Sequence, residues 1–134
     1  MVLGKMTDPI TDMLNRIVNA QAVSHPTVDV PFSNFKYEIV KILEKNGFVK
    51  KAEKKGRKTS KILIITLKYE DKKPIINGFK RVSKPGQRIY SSWKEIRRVK
   101  SGFGIAVVST SKRLMSDKEA RKNKLGGEIL FEIW

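Results

Sequence analysis

Apolar residues recur at helical spacing in two stretches near the start of the chain and at strand spacing through most of the remainder. Ile10, Met13, Leu14 and Ile17 fall on one face of a helix. Asp8 is placed to cap it, with Pro9 at the first helical position, where a missing N–H costs nothing. Asn15 and Arg16 lie off the stripe and can reach outward. After a loop through His25 and Pro26, Val28-Asp29-Val30 alternates as a short strand. Ser33 can cap a second helix whose buried stripe is Phe35, Ile39, Ile42 and Leu43, and Gly47 ends it. Phe48-Val49 opens a strand, and Ile62 to Leu67 returns as a nearly continuous apolar run, the mark of a central strand.

The pattern breaks around Glu70-Asp71-Lys72-Lys73-Pro74, and strands dominate beyond it. Ile75-Ile76, Phe79 to Val82 and Arg88 to Tyr90 are short extended runs, and Lys84-Pro85-Gly86 makes a tight turn between the last two. A helical turn is expected within Trp93 to Val99. Gly104 then leads into Ile105-Ala106-Val107-Val108, a short buried strand that ends in the hydroxyl triplet Ser109-Thr110-Ser111, with Lys112 and Arg113 next in the chain. Ser116 and Glu119 form a capping box for a short helix through Lys122. Gly126-Gly127 releases the chain into a last strand, Glu128 to Trp134. The expectation is an α+β protein of two small packed halves. Residues 1–5 are a short extension, 6–70 an α/β half (helix, strand, helix, strand, strand), and 71–134 a mostly β half with one short helix. No internal repeat or low-complexity linker interrupts them.

Charge sharpens this picture. Of 134 residues, 29 are Lys or Arg and 13 Asp or Glu, a formal net charge of +16. Residues 1–49 hold five of each sign, so the whole excess lies in residues 50–134. Seven cations crowd the turn between Lys50 and Lys61. Such an asymmetry is the footprint of a nucleic-acid binder. A polybasic membrane contact needs a lipid anchor or a basic amphipathic helix with bulky apolar residues, and neither basic cluster has that form. No apolar run approaches membrane-span length, and the start of the chain has none long enough for a signal peptide. The absence of cysteine removes disulfides, thiol nucleophiles and thiolate metal sites. A cytoplasmic protein is expected.

Catalysis finds little support. His25 is the only histidine, it precedes a proline in a loop, and no Gly-x-Ser-x-Gly elbow accompanies it. The acidic residues are scattered, and Lys84-Pro85-Gly86 lacks phosphate-loop spacing. No metal, cofactor or small-molecule substrate is implied. For binding, the triplet Ser109, Thr110 and Ser111 beside Lys112 could meet base edges, sugar hydroxyls and phosphates, or could simply close a polar turn. Tyr90, two residues after Arg88, is equally suited by spacing to stacking on a base or to packing within a sheet.

Several segments together resemble one known family, that of the eighth protein of the small ribosomal subunit, in its bacterial form. They are Asp8-Pro9-Ile10-Thr11-Asp12-Met13-Leu14-Asn15-Arg16-Ile17, Arg81-Val82-Ser83-Lys84-Pro85-Gly86, Gly104 to Lys112, Ser116 to Arg121 and Leu125 to Leu130. They occur in the family's order over nearly the whole chain. The resemblance implies a non-catalytic RNA clamp that binds small-subunit ribosomal RNA in its central domain, helps organise early assembly, and offers its remaining surface to neighbouring ribosomal proteins. It implies a reading face of Ser109, Thr110, Ser111, Lys112, Tyr90 and Glu128, with Glu128 beside the hydroxyl loop. It further implies an amino-terminal contact through Thr7, Asp8, Arg16 and Ser33, with Lys36 and Lys58 on phosphates. The alternatives are a repressor of a messenger RNA that mimics the ribosomal site and, less favoured, an RNA-processing enzyme. Arg113, Val18, Asn34 and Gln87 depart from the family's pattern, which has glycine at the first and basic residues at the others.

Overall fold

The computed structural model describes residues 8–134, so Thr7 and the expected extension 1–5 lie outside it. Helix α1 (Pro9–Ala22) begins at Asp8, whose carboxylate accepts from the Thr11 N–H, and buries Ile10, Met13, Leu14 and Ile17. Strand β1 (Thr27–Pro31) leads to α2 (Asn34–Lys45), capped by the Ser33 hydroxyl. Strands β2 (Val49–Lys55) and β3 (Ile62–Leu67) complete an antiparallel sheet in the order β1-β3-β2. The apolar run Ile62 to Leu67 is thus the central strand, as its pattern requires. The α2 stripe departs from expectation, because Ile39, Val40 and Leu43 are buried, Ile42 is half-buried, and Phe35 is 42% exposed. Helical periodicity puts Phe35 on the right face, but it sits in the first turn, beyond the edge of the core.

At the expected break the chain forms a small hairpin, β4 (Tyr69–Glu70) with β5 (Lys73–Pro74). The remaining strands are β6 (Phe79–Arg81), β7 (Tyr90–Ser91), β8 (Ile105–Thr110), β9 (Leu114–Ser116) and β10 (Gly127–Ile133). They form a sheet in the order β6-β10-β8-β9, with β7 also paired to β10. Helix α3 (Asp117–Lys122) packs on β8 and β9. Its capping box is half-formed. The Ser116 hydroxyl accepts from the Glu119 N–H at 3.2 Å, but the Glu119 carboxylate turns to Arg113. Within Trp93 to Val99, where a helical turn is expected, a single turn is closed by the Glu95 N–H on the Ser92 carbonyl at 3.0 Å, and the next turn, Val99–Gly102, has non-helical, left-handed backbone at Lys100 and Ser101.

Strand β8 explains how the parts join. Its Ile105 and Val107 enter the main core with α1, α2 and the first sheet, whereas Ala106 and Val108 enter a second core with Val99, Met115 and Ala120. Burial on both faces is why this strand reads as unbroken apolar sequence. In β10 a bulge between Ile129 and Phe131 inserts Leu130, so Leu130 and Phe131 both reach the main core. Each large apolar side chain so buried contributes about 1.5–3 kcal/mol. Val18, one of the departures from the family pattern, packs against this core as well.

Candidate nucleic-acid interface

Past Val107 the inward face of β8 runs out of core. The next residue on that face is Ser109, directly opposite Glu128 of β10, which in turn lies opposite Tyr90 of β7. Residues paired in register project to the same side of a sheet, so Tyr90, Glu128 and Ser109 form one polar row across three strands. Tyr90 is 70% exposed. The Glu128 carboxylate receives Arg88 at 3.2 Å, which neutralises a charge that would otherwise repel a polyanion.

Two glycines make this row possible. A Cβ on Gly127 would lie 2.1 Å from the Ser109 carbonyl oxygen, and one on Gly126 would lie 2.5 Å from that of Ser91. Only glycine lets the start of β10 pass between these two backbones. On the far side of β10, the Ser83 hydroxyl accepts from the Ile89 N–H (2.8 Å) and donates to the Ile89 carbonyl (3.2 Å), pinching off the segment between them. Within it Lys84 and Gln87 exchange backbone hydrogen bonds across Pro85 and Gly86, and Gly86 has φ +86°. Proline followed by a left-handed glycine is a type II turn.

The three hydroxyls of the triplet divide their work. Thr110 Oγ1 accepts from the Lys112 and Arg113 N–H groups, both at 3.2 Å, and donates to the Arg113 carbonyl at 2.7 Å. Thr110 therefore builds the turn. Among the described residues the Ser109 and Ser111 hydroxyls have no such partner, so their hydrogen-bonding capacity faces outward. Arg113 has an ordinary backbone conformation and its guanidinium is held by Glu119, so this turn needs no glycine there.

A groove of about 390 Å³ carries the row to the amino-terminal half, lined in part by Ser109, Glu128, Arg88, Asp8 and Phe35. The exposed Phe35 is a wall of this groove. Its hinge is Arg81, which no sequence pattern singles out and which bridges Asp8 (3.0 Å) and the Leu130 carbonyl. Asp8 and Arg81 are 73 residues apart, so no local signal joins them. Burial pushes the Asp8 carboxyl up, but the Thr11 hydroxyl and the Arg81 guanidinium outweigh it and hold the carboxyl below its ordinary value. Asp8 and Ser33 are both engaged as helix caps, and the Lys36 ammonium reaches the Pro31 carbonyl at 3.4 Å.

Of the expected contact residues, Asp8, Ser109 and Glu128 line the groove, whereas Tyr90, Thr110, Ser111, Lys112, Ser33, Lys36, Arg16 and Lys58 do not. Arg16 lies farther along α1, paired with Asp12 at 3.2 Å. Lys58 sits at the exposed tip of the β2–β3 hairpin, whose lysines reach back to the start of α2. Lys54 and Lys61 stand 5.9 and 5.7 Å from the Phe32 ring centre. No group of metal-ligating side chains occurs among the described residues.

Known proteins resemble this chain in sequence. Residues 8–134 match the family model described as Ribosomal protein S8. The small ribosomal subunit protein uS8 of Rippkaea orientalis is 53% identical over 129 residues, covering 95% of this chain and 97% of the relative. The proteins of the same name from Dictyoglomus turgidum and Mycoplasmopsis synoviae are each 50% identical, over 96% of this chain and 98% of theirs. Matches this long span the caps, the pinched turn, the hydroxyl tip and the double glycine alike, and the chain belongs to the Ribosomal protein S8 family.

Proposed function

We propose that this protein binds small-subunit ribosomal RNA directly, as a structural, non-enzymatic constituent of the small ribosomal subunit in the cytoplasm. The observation that carries this reading is the row Tyr90–Glu128–Ser109, whose Glu128 and Ser109 line a groove shared by both halves, with the unengaged hydroxyl of Ser111 two residues on. Hydroxyls, one ring and a neutralised carboxylate can hydrogen-bond and stack on irregular RNA. The deep major groove of regular A-form RNA excludes side chains, so a distorted, unpaired region is the suitable target. In this reading Ser109, Ser111, Tyr90 and Glu128 read the RNA, Thr110 shapes the loop, and Lys112 adds attraction. Asp8 and Ser33 position the amino-terminal contact, with Lys36, Arg16 and Lys58 near phosphates. The halves 6–70 and 71–134 then grip adjoining RNA, bind the central domain early in assembly, and leave other surfaces to neighbouring ribosomal proteins.

The test is a titration against overlapping fragments of small-subunit ribosomal RNA. One fragment bound at least a hundredfold more tightly than the rest, and left uncut, is the expected result. Equal affinity for every fragment would reduce the protein to a generic polycation, and strand cleavage would make it an enzyme. A messenger fragment carrying the same irregular fold should compete for the same face.

A further inference from the structure

The far end of the same sheet carries a feature that this RNA-binding reading leaves unused. Strand β8 rises about 3.3 Å per residue, so its two ends lie roughly 17 Å apart. Immediately before it, Lys100 (φ 48°), Ser101 (57°) and Gly102 (98°) form three consecutive left-handed residues, two of them with side chains. Such backbone strain persists only where the surroundings hold it. Here Lys118 donates to the Gly102 carbonyl at 3.1 Å, and the Lys100 ammonium stands 4.5 Å over the Trp134 ring. The Gly104 N–H donates to the Val99 carbonyl at 3.1 Å. Gly104 is itself compulsory, because a Cβ there would lie 2.5 Å from the Ile133 carbonyl oxygen.

What this strained clasp displays is Phe103, 87% exposed, the most exposed of the large hydrophobic side chains among the described residues. The second core is adjacent through Val99, yet the ring stands in solvent. Its rim is cationic. Between Lys94 and Gly104 the chain holds Lys94, Arg97, Arg98 and Lys100 against Glu95 alone, and Lys118 joins from α3. Among the described residues neither Arg97 nor Arg98 forms an ion pair, so both keep their charge for a partner. An exposed aromatic ring amid unpaired cations complements a nucleobase with phosphates on either side.

We propose that Phe103 is the stacking platform of a second RNA site, which takes an unpaired base of a single-stranded segment while Arg97, Arg98 and Lys100 hold its phosphates. The proposal rests on the RNA-binding reading above. The separation across β8 means that this site and the hydroxyl tip hold different nucleotides, so one copy of the chain ties two RNA segments together.

The probe is a short fluorescent oligouridylate, unstructured and titrated against the full chain with and without a saturating amount of the tightest ribosomal fragment. The expected result is a ternary complex, with oligouridylate weakened ~5- to 100-fold by Phe103→Ala. Fragment affinity and melting temperature should not change in that variant, while Tyr90→Ala should do the reverse and weaken only the fragment. Photo-crosslinking in the wild type should map the oligouridylate to Phe103. Displacement of oligouridylate by the fragment, or equal binding by Phe103→Ala, overturns the second site. If no fragment binds tightly, the first face is misread, and a loss of oligouridylate binding in Phe103→Ala still supports this one.

Discussion

The hydroxyl tip and the basic hairpin are both short connections between antiparallel strands, and they are built in opposite ways. The tip is tied by three hydrogen bonds to one threonine side chain and a fourth between the Thr110 N–H and the Arg113 carbonyl. It then sits against a glycine-tight strand start. The hairpin turn is closed by the Ser60 N–H on the Arg57 carbonyl, and its long cationic side chains are exposed to solvent. Fixing such side chains costs rotamer entropy, and their attraction to phosphates is blind to sequence. A rigid neutral surface discriminates through the cost of leaving polar groups unpaired, whereas a solvated charged one attracts whatever is anionic.

The most severe way to break this contrast is to add one methyl group to the strand start packed against the tip and one to the hairpin turn. Gly127→Ala sets a Cβ against the Ser109 carbonyl, with backbone on both sides and no flexible neighbour to yield. A loss of about 3 kcal/mol in stability is expected, together with loss of tight fragment binding. In the hairpin, Gly56→Ala meets the Ser60 carbonyl at 2.4 Å with φ +104°, but an exposed turn can open. About 1 kcal/mol is expected there, since the chain must only relax a left-handed residue. Urea unfolding of both variants makes the comparison, and equal losses would show that the tip is no more rigid than the hairpin.

Within the tip, two hydroxyls should separate folding from reading. Thr110→Val removes the acceptor for two backbone N–H groups and should cost about 1–2 kcal/mol of stability. Ser111→Ala should leave a circular-dichroism melt within about 0.5 kcal/mol of the wild type. It should nonetheless weaken the cognate fragment by about 1–3 kcal/mol, with non-specific binding and salt dependence unchanged. A lowered melting temperature in Ser111→Ala with cognate affinity intact would make Ser111 a turn residue and remove it from the reading face.

The helix caps are legible in the sequence because a cap is a local device, with Asp8 and Ser33 each lying three residues from the N–H they serve. The central place of β3 and the two-sided burial of β8 are legible from continuous apolar runs. Features whose partners are distant along the chain leave no such trace. Strand β9 is three residues long and exists only as a partner of β8. Arg81 lies in a short extended run, with nothing to tie it to Asp8. Phe35 reads as a core-forming residue, since periodicity reports the face of an element and not whether the core extends that far. The candidate site is mostly of this kind, assembled where three strands and two helices run out of core together.

The joint between the two halves, Asp8 with Arg81, can be tested by pH. Asp8 has a native carboxyl pKa below its ordinary value, since hydrogen bonds from Thr11 and the Arg81 ion pair outweigh the burial that raises it. Its contribution to stability is therefore complete above the ordinary carboxylate range and is lost as pH falls through the depressed native value. Denaturant unfolding between about pH 6 and pH 2 should show this acid loss in the wild type. Asp8→Asn should be less stable at neutral pH, because it leaves the nearly buried Arg81 without its counter-charge, and should show a shallower acid limb. An unaltered limb would mean that the joint does not couple the halves.

The smallest effect should come from the hairpin and is the most exacting test of the contrast. Lys58 is exposed at the hairpin tip, in a turn held without its side chain, so Lys58→Ala should leave folding untouched. If it neutralises one phosphate, the slope of log K against log salt should shrink by somewhat less than about one unit. The same reduction should appear with cognate fragment, unrelated RNA and homopolymer, because the hairpin reads charge and not shape. Ser111→Ala should show the opposite signature on the same three ligands, with a fixed slope and a loss confined to the cognate. A Lys58→Ala effect confined to the cognate fragment would mean that the hairpin also recognises a particular fold, and the division of labour between the two connections would fail. An unchanged slope would leave Lys58 a solvated turn residue and move the phosphate contact to one of its six cationic neighbours between Lys50 and Lys61.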